Sequence, residues 1–123
     1  MKFLMTVEMD ESIQPAGGPP QPLADAMTEY INEEFASGRL IDTGGLAPTA
    51  DGRKLRLSNG EISVTDGPFT ETKEVIGGYA LMELDSEEEA VSQCRKFVEL
   101  HQKYWPGLEM ACSVRQAFGP ERP

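Results

Sequence analysis

The 123-residue chain has one histidine, two cysteines and eleven lysines and arginines against twenty-one acidic residues. Each shortage excludes a class of function. A formal net charge of −10 leaves no basic stripe to neutralise a run of phosphates, so nucleic acid is not an expected partner. The same acidity disfavours adsorption to an anionic membrane surface. The charge is read as keeping a cytoplasmic protein in solution. Cys94 and Cys112 lie far apart, outside any CxxC or Cys/His cluster, so a zinc site lacks ligands. They are read as two reduced, buried thiols rather than a disulfide. One histidine supports no Ser–His–Asp or Cys–His arrangement. Gly17-Gly18-Pro19-Pro20 and Gly44-Gly45 lack the strand, lysine and helix start of a phosphate-binding loop, and no cofactor is expected. The first apolar run, Lys2–Met9, is too short for an export signal or a membrane span and is followed by Asp10 and Glu11.

What remains suits one globular α+β domain, read as residues 1–118 with a loose tail over 119–123. Phe3, Met5, Val7 and Met9 alternate with Leu4, Thr6 and Glu8, which predicts a strand. A Pro- and Gly-rich loop over 10–22 follows. Leu23, Met27, Ile31 and Phe35, joined by Tyr30, then recur at helical spacing until Gly38, with Pro22 suited to the first turn. Arg39–Asp42 reads as a short strand. Lys54–Leu57 and Glu61–Thr65 flank Ser58-Asn59-Gly60, a hairpin signal because Asn-Gly tolerates positive φ. Val75–Leu84 forms another strand, with Gly77-Gly78 marking a bulge or a close backbone approach. Asp85 or Ser86 caps a second helix whose stripe is Ala90, Val91, Cys94, Phe97, Val98 and Tyr104. Trp105-Pro106-Gly107 ends it, and a last strand runs between Leu108 and Phe118.

The expected order is β-α-β, an inserted hairpin, then β-α-β. Such halves fold as a ferredoxin-like sandwich, with one sheet and both helices on one face. Several strands carry apolar residues on both faces: Leu4 against Phe3, and Tyr79 and Leu81 against Ala80, Met82 and Leu84. Two helices cover one face only, so a second copy of the chain is the simplest cover for the other. A homodimer enclosing a cavity is therefore expected.

Val64-Thr65-Asp66-Gly67-Pro68-Phe69-Thr70-Glu71-Thr72-Lys73-Glu74, followed by Gly77-Gly78-Tyr79, resembles the signature of the DGPF group of YCII-related proteins. Asp-Gly-Pro-Phe-x-Glu-x-Lys-Glu fixes seven of nine positions, and the likeness extends to Glu33–Gly38, Gly45-Leu46, Leu55-Arg56-Leu57 and Val114-Arg115. The resemblance implies a dimer of the α/β-barrel type with a cleft near the space between the sheets. It also implies two kinds of role. Some relatives are proposed enzymes with a His–Asp pair, and lactone and dehalogenation chemistry occurs among them. DGPF proteins are often encoded beside extracytoplasmic-function sigma factors, which suits signalling. The histidine of the enzymatic pair belongs on the first helix, where this chain has none.

The candidate residues carry two readings each. Asp66 closes a turn by accepting backbone N–H bonds, or serves as a general base after desolvation. Lys73 holds an anionic ligand, Phe69 forms an apolar wall or locks a partner subunit, and Arg56 and Arg115 pair with carboxylates of the protein or of a ligand. Tyr79 is core or ligand contact. His101 reads as a partly buried residue near a helix C-terminus, favoured by the dipole. Two functions stay open: a dimeric module binding a small molecule or a regulatory partner, and a cofactor-free lyase, isomerase or hydrolase using Asp66.

Overall fold

A computed structural model describes residues 1–69 and 74–120. Strand β1 (Lys2–Met9) is followed by helix α1 (Gln21–Ala36), strand β2 (Leu40–Gly45), a 3-10 turn (Thr49–Asp51) and the ribbon β3 (Arg53–Ser58) and β4 (Glu61–Asp66). Strand β5 (Val75–Glu83), helix α2 (Glu87–Tyr104) and strand β6 (Ala111–Ala117) complete the chain. The main sheet runs β2-β5-β1-β6 with antiparallel neighbours, the order of a ferredoxin-like α+β fold. It is open, with β2 and β6 at its edges. The ribbon forms a second sheet of its own.

Register assigns the faces. Phe3 pairs with Met82 and Gln116, Met5 with Ala80 and Val114, and Val7 with Gly78 and Cys112. Phe3, Met5, Leu40, Met82 and Leu84 bury against Ala90 and Cys94 of α2, with Ile31 of α1 packed alongside. Both helices therefore lie on this face. The opposite face presents Leu4, Thr6 and Glu8 of β1, Tyr79 and Leu81 of β5, and Ser113 and Arg115 of β6. Leu4 and Leu81 are direct partners at its centre. Around them Glu8 accepts hydrogen bonds from Thr6 Oγ1 at 2.9 Å and Ser113 Oγ at 2.8 Å. This face is thus a small apolar centre in a polar field, less apolar than strand alternation suggests.

The helix ends follow their local chemistry. Gly38, with φ of 80°, stops α1 where a side chain would be strained. At α2, Ser86 Oγ accepts from the Glu89 N–H and the Glu89 carboxylate accepts from the Asp85 N–H, both at 3.1 Å. Asn59 and Gly60, at φ of 54° and 78°, turn the ribbon. Gly107, at φ of 85°, turns the chain after α2.

The apolar stripe of α1 differs from its expected membership. Phe35 is 46% exposed and Glu34 only 4%. A four-residue spacing drifts: twelve residues from Leu23 carry Phe35 about 120° off the stripe, whereas eleven bring Glu34 back within about 20°. The buried carboxylate is matched by Arg39, whose Nε and Nη2 donate to it at 2.8 and 2.9 Å. On α2, likewise, Val91 is 52% exposed while Gln93 is buried.

The Glu34–Arg39 pair should behave unlike a surface pair. Replacing Arg39 by Ala leaves a buried carboxylate without its fork of donors, at a cost of about 1–3 kcal/mol. Arg53→Ala, which breaks the exposed pair with Asp66, should change stability by less than about 1 kcal/mol. Urea unfolding of both variants checks this, and equal losses would contradict the account.

Candidate functional site

Two glycine pairs meet where β2 ends and β5 begins. Gly45 pairs with Gly78, and Gly44 with Tyr79. Between Val7–Gly78 and Glu8–Ile76 the register slips by one residue, so Gly77 is the extra residue of a bulge. A Cβ on Gly78 would stand 3.2 Å from the Gly44 carbonyl oxygen, so the backbones approach closely as well. Gly45 and Gly78 lie on the helix-facing side and supply no side chain there. Beneath the helices at this end of the sheet, a cavity of about 340 Å³ remains. Its volume falls within the range of small-molecule sites and far exceeds a packing defect.

Met5, Val7 and Met9 of β1, Met27 and Ile31 of α1, and Phe97 of α2 give the cavity its apolar walls. Methionine suits such walls because its thioether chain adapts to irregular contents. The polar groups at the rim are largely committed. Tyr30 Oη donates to Gln93 Oε1, and burial, reinforced by the Glu34 carboxylate, pushes its pKa up to about 12. Thr43 Oγ1 donates to the Tyr79 carbonyl at 2.9 Å. His101 is different. Its Nδ1–H donates to the Phe97 carbonyl at 2.8 Å, with the two rings 4.4 Å apart. Burial lowers its pKa below the ordinary histidine value, partly opposed by that hydrogen bond. The ring is thus neutral at pH 7, with Nε2 an acceptor. A second, wider groove of about 810 Å³ runs along the flank of α2 and edge strand β6, and His101 and Cys112 line both spaces.

Of the residues singled out from the sequence, Tyr79 and His101 line the cavity, and the other described ones fall elsewhere. Asp66 ends β4 with its side chain 81% exposed and a carboxylate oxygen 3.3 Å from Arg53 Nε. The Gly67 N–H donates to the Gly52 carbonyl at 2.9 Å, and a Cβ on Gly67 would fall 1.6 Å from the Thr49 carbonyl oxygen. Thr49 is itself held by Glu11, which accepts from its N–H at 2.9 Å and its hydroxyl at 2.7 Å. Phe69 folds back over Gly52, and Lys54 Nζ stands 4.8 Å from its ring centroid. In this arrangement Asp-Gly-Pro-Phe forms the base of the ribbon. Arg56 pairs with Ser63 on the exposed ribbon. Arg115 pairs with Leu4 on the open sheet face. Tyr79 is on that face too, its hydroxyl donating to Asp42 at 3.2 Å; the bond to Asp42 raises its pKa. Lys73 and Glu71 lie outside the described residues.

Asp66, Phe69 and Arg56 therefore belong to the ribbon, whereas Tyr79 belongs to the main sheet and borders the cavity. The cavity residues Met9, Met27 and Phe97 carried no functional reading in sequence. Their signal was the double glycine on each of two strands, together with six methionines in 123 residues. Among the described residues no group of three or more His, Cys, Asp and Glu side chains is placed to hold a metal ion. No helix among them is long and apolar enough to cross a membrane.

A sequence profile of the YCII-related domain matches residues 1–98. An uncharacterised protein of Rhizobium meliloti (strain 1021) is 42% identical over 59 residues, 48% of this chain and 48% of that protein. The matched region thus spans about half the length of that relative.

Two predictions follow from this geometry. His101 binds a proton less readily folded than unfolded, so stability should fall as pH drops below about 6.5. His101→Gln should flatten that fall between pH 7.5 and 5.5 in urea unfolding; an unchanged slope would show that the ring is not buried. At the ribbon base, Gly67→Ala should cost about 1–3 kcal/mol by overlap with the 49–50 backbone. Asp66→Asn should cost under about 1 kcal/mol, because its pair is exposed. A larger loss for Asp66→Asn than for Gly67→Ala would overturn the reading of this turn.

Proposed function

Starting from a chain that belongs to the YCII-related family, we propose that it is a homodimeric module that binds a small, largely apolar molecule beneath its helices. The observation that carries this reading is the methionine-walled cavity of about 340 Å³ at the paired glycines. The ligand class follows from the walls. Aliphatic and thioether groups surround the space, and neutral His101 offers one acceptor to a hydroxyl or N–H group. A compact phenol or alcohol has that chemistry, whereas a polyanion does not, because Arg39 is committed to Glu34. Asp66 favours this reading over catalysis: its exposed carboxylate on the ribbon is not the desolvated base such an enzyme needs.

Two exposed apolar surfaces support the dimer. One is the Leu4–Leu81 centre of the open sheet face. The other is a face of the ribbon formed by Leu55, Leu57, Ile62 and Val64, each 60–74% exposed. A two-stranded ribbon is marginal alone, and contiguous exposed apolar groups of this kind mark contact surfaces. A second copy covering both would protect them. A regulatory role, in which ligand occupancy alters what the dimer presents to a partner protein, fits the same architecture.

A ligand at ten times its Kd stabilises the folded state by about 1.4 kcal/mol, a rise in Tm on the order of 5 °C for a domain of this size. Small phenols at millimolar concentration should produce such a rise in the natural protein. Ala80→Leu, which extends a side chain into the cavity, should abolish it without lowering the ligand-free Tm. An equal response in both proteins would place the binding elsewhere. For the assembly, sedimentation at micromolar concentration should give twice the chain mass, and Leu81→Asp should return a folded monomer; a natural protein that sediments as a monomer refutes the dimer.

A further inference from the structure

Cys94 and Cys112, eighteen residues apart, are brought together across the boundary between helix and sheet. Cys94 projects from α2 into the core, and Cys112 is the helix-facing partner of Val7 on β6. The Cys94 thiol donates to the Cys112 carbonyl oxygen at 3.5 Å. Its sulfur therefore lies against the Cys112 residue, whose side chain faces the same boundary between helix and sheet. Both residues line the wide groove along α2 and β6, Cys112 partly exposed and Cys94 buried, so a small solute that enters the groove meets Cys112 first. The chain has two cysteines, both free, and among the described residues there is no metal-binding cluster.

We propose that Cys94 and Cys112 form a peroxide-sensitive dithiol, which hydroperoxides convert into an intramolecular disulfide tying α2 to β6. The pair supplies its own nucleophile. The Cys112 thiol, hydrogen-bonded to Cys94, holds the Cys94 thiol below the usual range, while Cys112 itself is pushed up. The first proton thus leaves from Cys94, and the thiolate is the reactive form. Cys94 sulfur attacks one peroxide oxygen; an S–O bond forms, the O–O bond breaks and hydroxide leaves, taking up a proton as water. The Cys94 sulfenic acid is then attacked by the Cys112 sulfur; the S–S bond forms, the S–O bond breaks and a second water leaves with the Cys112 proton. Two thiols and one hydrogen peroxide become one disulfide and two waters, with two electrons passing from sulfur to peroxide. Cys112 also lines the methionine-walled cavity. The oxidised bridge therefore alters one wall of that space, although its formation does not depend on the cavity binding anything.

The test uses the whole reduced protein and hydrogen peroxide. One equivalent should remove both titratable thiols, and the intact protein should lose two hydrogens in mass. Trypsin separates the cysteines, because Arg95, Lys96 and Lys103 lie between them. Non-reducing peptide maps should then show fragment 74–95 joined to fragment 104–115, and dithiothreitol should part them. Cys94→Ser should form no intramolecular link, but the peptide map of the natural protein decides the matter even if that variant fails to fold. Two thiols that survive stoichiometric peroxide would overturn the proposal. So would over-oxidation of either cysteine without a link, or bridges formed only between chains. A link produced by diamide but not by peroxide would overturn the assignment of the oxidant.

Discussion

The structure depends on how two helices cover one face of a four-stranded sheet. Phe3, Met5 and Met82 need that cover, and α1 and α2 provide it through Ile31, Ala90 and Cys94. Burying these side chains contributes about 1.5–3 kcal/mol each, which makes the helix–sheet layer the main source of stability. The cover is closest over Phe3 and Leu84, which are almost inaccessible. It is incomplete where Gly45 and Gly78 remove the side chains that would otherwise meet the helices.

From that gap the other features follow. The methionines of β1 and α1 line the space without closing it. The polar groups around it are mostly turned to one another, so the space stays apolar. Tyr30 with Gln93 also joins helix to helix, and Glu34 with Arg39 joins α1 to the connection before β2, fixing the geometry of the rim. His101 and Cys112 stand between this space and the groove outside. A change in either residue, by protonation or by oxidation, is thus felt at a wall that both spaces share.

Much of the fold was legible because strand alternation and helix punctuation are local. The Asn59-Gly60 turn, the Gly38 stop, the Ser86 cap and the Gly77-Gly78 bulge each fall where local chemistry requires them. The ferredoxin-like strand order followed from the sequence of elements. Stripe membership was harder to read, since a four-residue repeat hides the drift that exposes Phe35 and buries Glu34. The candidate site was less legible still. Asp-Gly-Pro-Phe is the most distinctive string in the chain, yet its contacts are with the 49–52 turn and Lys54. The cavity, by contrast, is made by missing side chains and by residues from β1, β2, β5, α1 and α2 that no linear pattern joins.

Six methionines make the central claim directly measurable. Met5, Met9, Met27 and Met82 line the cavity, Met110 lines the outer groove, and Met1 is half-exposed at the chain start. Methyl spectra of the protein labelled at methionine, recorded during titration with a small phenol, separate the two spaces. The account predicts saturable shifts at the four cavity methyls, with Met1 and Met110 unmoved. Shifts confined to Met110, or none at saturating phenol, would contradict it.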